Sequence, residues 1–429
     1  MVSADIDTSE RKPCWSEFRW YMGGHSSYFA AMGIQGIVYP YIVTFVLAKP
    51  ADMVGLAQMF TMLPMFGLVL LGGMTADRRE LRMHLVRLQF LAAIPMLVLA
   101  GLIFTENLTF TLLIFCGIAT GSVSAFVMPA RDSLLNRVAR RSPSGDIQQA
   151  VTMVTAVQFG AQLFGILLAG QLVSEAGAGV MLLVLVVSYL SAAFCTTNVD
   201  PAPPSVKLEP DDVDLIKVSR WRKNFSDINE GIQEVRNSKR MLPVVTLIFF
   251  GGLLMMGVIS VLLQVLIRDE YQGDISIYSN LMIAFTVGVT LTTTVLSRHF
   301  KIIRQGRTMM LAFAFGAVIL SAIHFKPPLE LLYLLMAAWG GASGINMSMS
   351  RSIVQEAAKA SHRARIMSVY QLGFLGGAPL GSLGIGFVTD WLGPLDAVLV
   401  VIAGIALVWL GLFFFTGLWH VKREQPVAS

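Results

Sequence analysis

The sequence predicts an all-α membrane protein of twelve transmembrane helices in two pseudo-symmetric six-helix halves, and three observations carry that prediction. Composition is the first: 55% of the 429 residues are hydrophobic and 14% charged, too little polar surface to cover a soluble core of this size. The second is spacing, because apolar runs long enough to cross about 30 Å of hydrocarbon recur along the whole chain. The third is duplication. A displacement of 220 residues lays Arg78 on Arg298, Arg87 on Arg307 and Arg131 on Arg351, and one of 216 lays Gly165 on Gly381, Gly170 on Gly386 and Gly177 on Gly393. Parallel repeats that enclose a site at their interface are a transporter architecture.

Taken in order, residues 1–19 mix charges of both signs and lack the apolar core of a cleavable signal, so helix 1 is expected to direct insertion. Helices 1 to 6 are placed at 21–47, 53–75, 83–104, 108–129, 148–173 and 179–197, which makes 1–197 the first half. A polar linker, 198–241, follows; it opens on the irregular Asp200-Pro201-Ala202-Pro203-Pro204 and continues into an apolar stripe of Phe225, Ile228, Ile232 and Val235, the pattern of an amphipathic helix on the membrane face. Helices 7 to 12 fall at 242–267, 275–297, 307–325, 329–350, 365–389 and 396–419, within a second half of 242–429.

With both ends of the chain on the cytoplasmic side, 29 of the 32 Lys and Arg residues lie there and only Lys49, Arg268 and Lys326 lie opposite. That division follows the positive-inside rule and predicts cytoplasmic termini in a cell membrane, the bacterial inner membrane. The net charge of +5 is therefore topological rather than a nucleic-acid footprint. Cys14, Cys116 and Cys195 have no metal-ligand spacing, and no Walker loop, HExxH or nucleophile elbow occurs. An enzyme is not expected, nor a metal or cofactor.

The stretch from Gly72 to Arg87 joins helices 2 and 3 by a tight cluster of charges. Its Gly73-x-x-x-Asp77-Arg78-x-x-x-Arg82 order resembles the signature loop of the major facilitator superfamily, a resemblance that covers essentially the whole chain. Pro129-Ala130-Arg131-Asp132-Ser133, Ile228-Asn229-Glu230-Gly231-Ile232 and Arg363-Ala364-Arg365-Ile366-Met367-Ser368 are similar to the branch that holds macrolide-type drug exporters, the enterobactin exporter and the lysophospholipid transporter. The resemblance implies that Asp77 faces the start of helix 11 and locks the halves together, that Arg78 bridges to Asp132, and that Gly73, Arg82, Arg131 and Arg351 belong to the same gate. Glu80 departs from the loop pattern, where Gly is usual, and Ser297 stands where Asp77 would repeat. Helix 4 is expected to lack the membrane-embedded Arg common in proton-coupled drug exporters.

A cavity needs polar groups. On helix 1, His25, Tyr28, Met32, Gln35 and Tyr39 share a face at 100° per residue. Helix 5 offers Thr155, Gln158 and Gln162, helix 7 Ser260 and Gln264, and helix 11 Tyr370 and Gln371. By resemblance these helices line the central cavity, and the set suits a neutral or amphiphilic solute. Gly377, Pro379 and Gly381 mark a hinge in helix 11, since Pro removes a backbone hydrogen bond. No carboxylate lies near a helix midpoint, which leaves His25 as the titratable group within the apolar runs.

The expected function is secondary active transport by alternating access: a monomer in the lipid bilayer exporting a small amphiphilic or drug-like molecule, with a proton or another ion as the coupling partner. Uptake or flipping of a lipid-like solute is the alternative within transport. A non-transporting sensor or scaffold is the alternative outside it.

Overall fold

The computed structural model describes residues 15–140, 147–201, 229–299, 302–358 and 363–422. Helix α1 (Trp15–Tyr41) runs into a π-helical turn (Ile42–Val46); α2 is Ala51–Arg78, α3 Leu81–Phe104 and α4 Phe110–Arg140. The helix Ile147–Thr197 is broken at Gly177, whose φ 82 and ψ 157 lie where only glycine fits comfortably, and so divides into α5 (147–176) and α6 (178–197). In the second half, α7 comprises Met241–Gly257, a π turn (Val258–Leu262) and Leu263–Asp269, followed by α8 (Ile275–His299), α9 (Gln305–His324), α10 (Leu329–Ala357), α11 (Arg363–Leu392) and α12 (Pro394–Phe415).

Ten of the helices among the described residues are long and apolar enough to cross a bilayer. One of these is the 45-residue stretch Met153–Thr197, which the break at Gly177 folds back on itself. The 29-residue α10 falls outside the ten because Gly340, Gly341, Ser343, Gly344, Asn346, Ser348 and Ser350 dilute its hydropathy. Those small residues serve contact instead, since a Cβ at Gly344 would meet Val289 O of α8 at 3.0 Å. The arrangement is consistent with the expected twelve.

The duplication is visible in the backbone. The π turns of α1 and α7 are 216 residues apart, as are Gly177 (φ 82) and Gly393 (φ 83), and the left-handed Glu106 (φ 57) and Lys326 (φ 49) are separated by 220. These turns lie on one face of the bundle, the distal face. The start of α1, the turn between α2 and α3 and the end of α12 lie on the other, the terminal face.

Two features of the terminal face were unexpected. Glu80, the departure from the loop pattern, caps α3: its carboxylate accepts from Arg82 N at 3.0 Å and Met83 N at 2.7 Å, satisfying donors that a helix start leaves free. Beyond the last helix of each half, the chain also doubles back over that half's third helix. Arg82 NH1 donates to Thr197 O and Val199 O at 3.5 and 3.4 Å. In the second half Gly306 N donates to Val421 O at 3.1 Å, Arg307 lies 5.0 Å from the Trp419 ring centre, and Arg240 donates to Lys422 O at 2.8 Å.

Of the linker's amphipathic stripe, Ile232 and Val235 lie in a short helix, 229–237, with Val235 buried. Phe225, Ile228 and the irregular first part of the linker lie outside the described residues.

Candidate functional site

The two halves meet along the distal face through three helix pairs. Between α1 and α7, Thr44 Oγ1 donates to Gln264 Oε1 at 3.2 Å, and Arg268 NH1 donates to Thr44 O at 3.2 Å and Lys49 O at 2.9 Å. Between α5 and α8, Ser279 Oγ donates to Ile166 O at 2.8 Å and Gln171 Nε2 to Asn280 Oδ1 at 3.1 Å. Between α2 and α11 the backbones touch: a Cβ at Gly55 would run into Ser382 O, and one at Gly386 would meet Ala51 O at 2.8 Å. Further towards the terminal face a Cβ at Gly376 would meet the Phe66 ring at 3.2 Å. Beyond the seam these four helices carry exposed large side chains: Leu63 and Phe66 on α2, Met153 and Phe164 on α5, Leu291 and Val295 on α8, and Phe374 on α11.

The expected gate residues divide. Gly72 rather than Gly73 makes the close contact, since a Cβ on Gly72 would run into Ala125 O of α4 whereas one on Gly73 would meet nothing within 4 Å. Asp77 and Arg78 end α2, and their side chains, like the first residues of α11, lie outside the described set. Arg82 serves its own half, as described above. Asp132 and Arg351, both exposed, stand on opposite halves near enough for their charges to interact.

Arg131 lies where the expected end of helix 4 is corrected. Helix α4 does not stop at residue 129 but continues to Arg140, and Arg131 is 3% exposed within it, so α4 carries an arginine buried in the protein. Its NH2 donates to Gly24 O at 2.8 Å and its guanidinium sits 4.2 Å from the Tyr28 ring centre. A cation over an aromatic face is stabilised there.

The cavity candidates also separate. His25, Tyr28 and Tyr39 are buried inside the first half, where Tyr39 OH donates to Leu113 O at 3.3 Å and Tyr21 OH and His25 Nδ1 are 3.3 Å apart. A protonated His25 would set a second positive charge close to Arg131. Gln35 is half-buried and accepts from Tyr189 OH at 2.9 Å. Ser260 bonds Ser382 at 2.9 Å and Tyr370 bonds Ser350 at 2.8 Å, both inside the second half, while Gln264, fully buried, belongs to the distal seam. Met32, Gln158 and Gln162 are half-buried and Thr155 and Gln371 exposed. Sequence reasoning passed over Thr286, Thr290 and Thr293 on α8, half-buried at helical spacing with each hydroxyl bonded to a carbonyl of its own helix at 2.8 Å.

The hinge candidates lie against α7. Helix α11 runs unbroken through Pro379, and a Cβ on Gly377 would meet Leu253 N of α7 at 2.8 Å while one on Gly381 would meet Leu253 C at 2.6 Å. Among the described residues no group of His, Cys, Asp and Glu could hold a metal ion.

A family model described as transmembrane secretion effector matches residues 24–425. The chain belongs to this family of major facilitator superfamily transporters. A search of curated proteins gave no match. Among solved structures, the nucleoside transporter NupG is similar at a TM-score of 0.70 and 13% identity, over 92% of this chain and 98% of that one. A bacterial homologue of the human lysosomal transporter Spinster, inward-facing and occupied, is similar at 0.70 and 13%, over 95% and 98%. A POT family transporter in complex with a thioalcohol-conjugated peptide follows at 0.68 and 11%, over 92% and 95%. At these identities the likeness concerns the fold. The transporter's distal seam was half-legible in sequence: Arg268 is one of the three basic residues on the side poor in them, and a cation kept there needs a partner.

Proposed function

We propose that this transporter works by alternating access and exports a small amphiphilic or drug-like molecule from the cytoplasm, driven by an ion gradient, with the terminal face cytoplasmic. The observation that carries this reading is that the cross-half hydrogen bonds among the described residues cluster on the distal face. Halves that are joined at one face and part towards the other present a central cavity to the parted side, and rocking about the midplane exchanges the two. The division of basic residues supports a cytoplasmic terminal face. The solute class rests on the cavity candidates that are not buried within a half, Met32, Gln158, Gln162, Thr155 and Gln371, which offer amide and hydroxyl partners and no fixed charge. A substrate screen in a strain stripped of its own exporters tests the function. Retention of a neutral amphiphile falling in cells that express the protein is the expected result, and no change across amphiphilic solutes would count against it.

Topology has its own test. Ser205→Cys in the linker should stay unlabelled by an impermeant maleimide in intact cells and label fully after permeabilisation; strong labelling from outside would invert the orientation.

The gate assignment of Asp77 predicts a split between binding and turnover. Asp77→Asn is expected to leave substrate affinity within about twofold and to slow transport at least about tenfold, because a gate carboxylate favouring one state acts on the conformational equilibrium rather than on the solute. Equal transport rates in variant and parent would remove Asp77 from the gate.

A further inference from the structure

The distal seam holds a cation whose surroundings are unusually specific. Arg268 lies in the last turn of α7, 25% exposed, with Nε 2.6 Å from Asp269 Oδ1 and NH2 donating to Asp269 Oδ2 at 3.0 Å. Its remaining edge faces the end of α1, in the opposite half. There the π turn widens the helical ladder: Leu47 N donates to Ile42 O at 2.8 Å and Lys49 N to Val43 O at 3.0 Å, spans longer than the ordinary four residues. Ala48 then turns left-handed at φ 45. With the ladder displaced, the carbonyls of Thr44 and Lys49 are met by a donor from outside the helix, Arg268 NH1. Beside them Thr44 Oγ1 donates to the buried Gln264.

We infer that Arg268 is a positioning residue of the transport cycle, a clasp that holds the distal face shut by capping the carbonyls at the end of α1 from the other half. This rests on the alternating-access reading. Hydrogen bonds from an ionised donor are about twice as strong as neutral ones, and a cation at a helix C-terminus is favoured by the helix dipole. The contact is also reversible. Partial exposure lets water replace the carbonyls when the face opens, and Asp269, the next residue in the chain, keeps the guanidinium oriented in either state. A lysine reaches one carbonyl at a time and lacks the planar fork that serves the carbonyls and Asp269 together.

The test is a pair of interspin distances in the full chain, with Cys14, Cys116 and Cys195 replaced and the protein in lipid nanodiscs. Asn107→Cys with Glu330→Cys, both exposed, spans the distal face, and Asn198→Cys with Arg304→Cys, also exposed, spans the terminal face. Arg268→Gln is expected to raise the population with a long distal distance about tenfold over the parent, and Arg268→Lys to restore part of the short one. A matching gain of short terminal distances upholds rocking as well. If the distal distance lengthens while the terminal one never shortens, the clasp stands and the rocking reading falls. A distal distribution in Arg268→Gln identical to the parent's, in protein whose melting temperature is unchanged, overturns the clasp. Arg268→Ala, measured alongside, guards against a glutamine that still bonds the same carbonyls.

Discussion

Gly55→Leu is expected to abolish most transport while leaving the protein folded. The Gly55 Cβ position is occupied by Ser382 O and lies 3.1 Å from Gly386 Cα. Both obstacles are backbone, so no rotamer change makes room. What can yield is the distance between α2 and α11, which belong to different halves, and that distance is what closure of the distal face sets. Overpacking of this kind costs about 1–3 kcal/mol, and charged against one conformation alone it shifts the equilibrium about 5- to 150-fold. Neither half is disturbed internally, so melting temperature and monodispersity should match the parent while substrate transport in cells or vesicles falls by a similar factor. Normal transport by Gly55→Leu would mean that the tight α2–α11 contact is not needed for turnover.

Gly165→Leu should fail differently, by loss of the folded protein. A Cβ there would run into Ala30 O and lie 3.1 Å from Ala30 Cα, and α1 reciprocates, since a Cβ on Gly33 would run into Gln162 O and lie 3.0 Å from Ile166 N. Two backbones in contact at paired glycines is the close approach that small residues permit in membranes. Because α1 and α5 share a half, the clash persists in every conformation and no rocking relieves it. The upper end of about 1–3 kcal/mol, or beyond, is expected, read as a collapse of folded yield in fluorescence-detected size exclusion. A variant that folds normally but stops transporting would show that α1 and α5 separate during the cycle.

The helices were legible because lipid offers no partner to a free backbone group, so each apolar run of sufficient length must close its own hydrogen bonds. Their ends were less so. At Pro129-Ala130-Arg131 the charges read as the membrane boundary, yet α4 continues to Arg140 because a helix may project past the hydrocarbon and because Arg131 finds its partners on α1. The duplication was legible down to Gly177 and Gly393, whereas Ala48, Glu106, Gln272 and Lys326 take left-handed conformations that their side chains do not announce. Spacing put His25, Tyr28 and Tyr39 on one face of α1, but it carries no information about which neighbour that face meets. That neighbour is the interior of the first half. The partners that complete the distal seam around Arg268 were hidden for the same reason, since Thr44, Gly55 and Ser279 are ordinary until the helices that oppose them are known.

The segments that double back past α6 and α12 bear on how the chain is made. Arg82 at the start of α3 finds Thr197 and Val199 as soon as the first six helices have left the ribosome, so the first half is complete before synthesis of the second begins. At the start of α9, Gln305 reaches Ser352 and Glu356 of α10 at 3.1 Å, but the contacts of its neighbours come later. Gly306, Arg307 and Arg240 wait for Val421, Trp419 and Lys422, which emerge only after α12. The packing at the beginning of α9 is therefore completed only when residues 418–422 have been made and Leu418 and Val421 take their buried places.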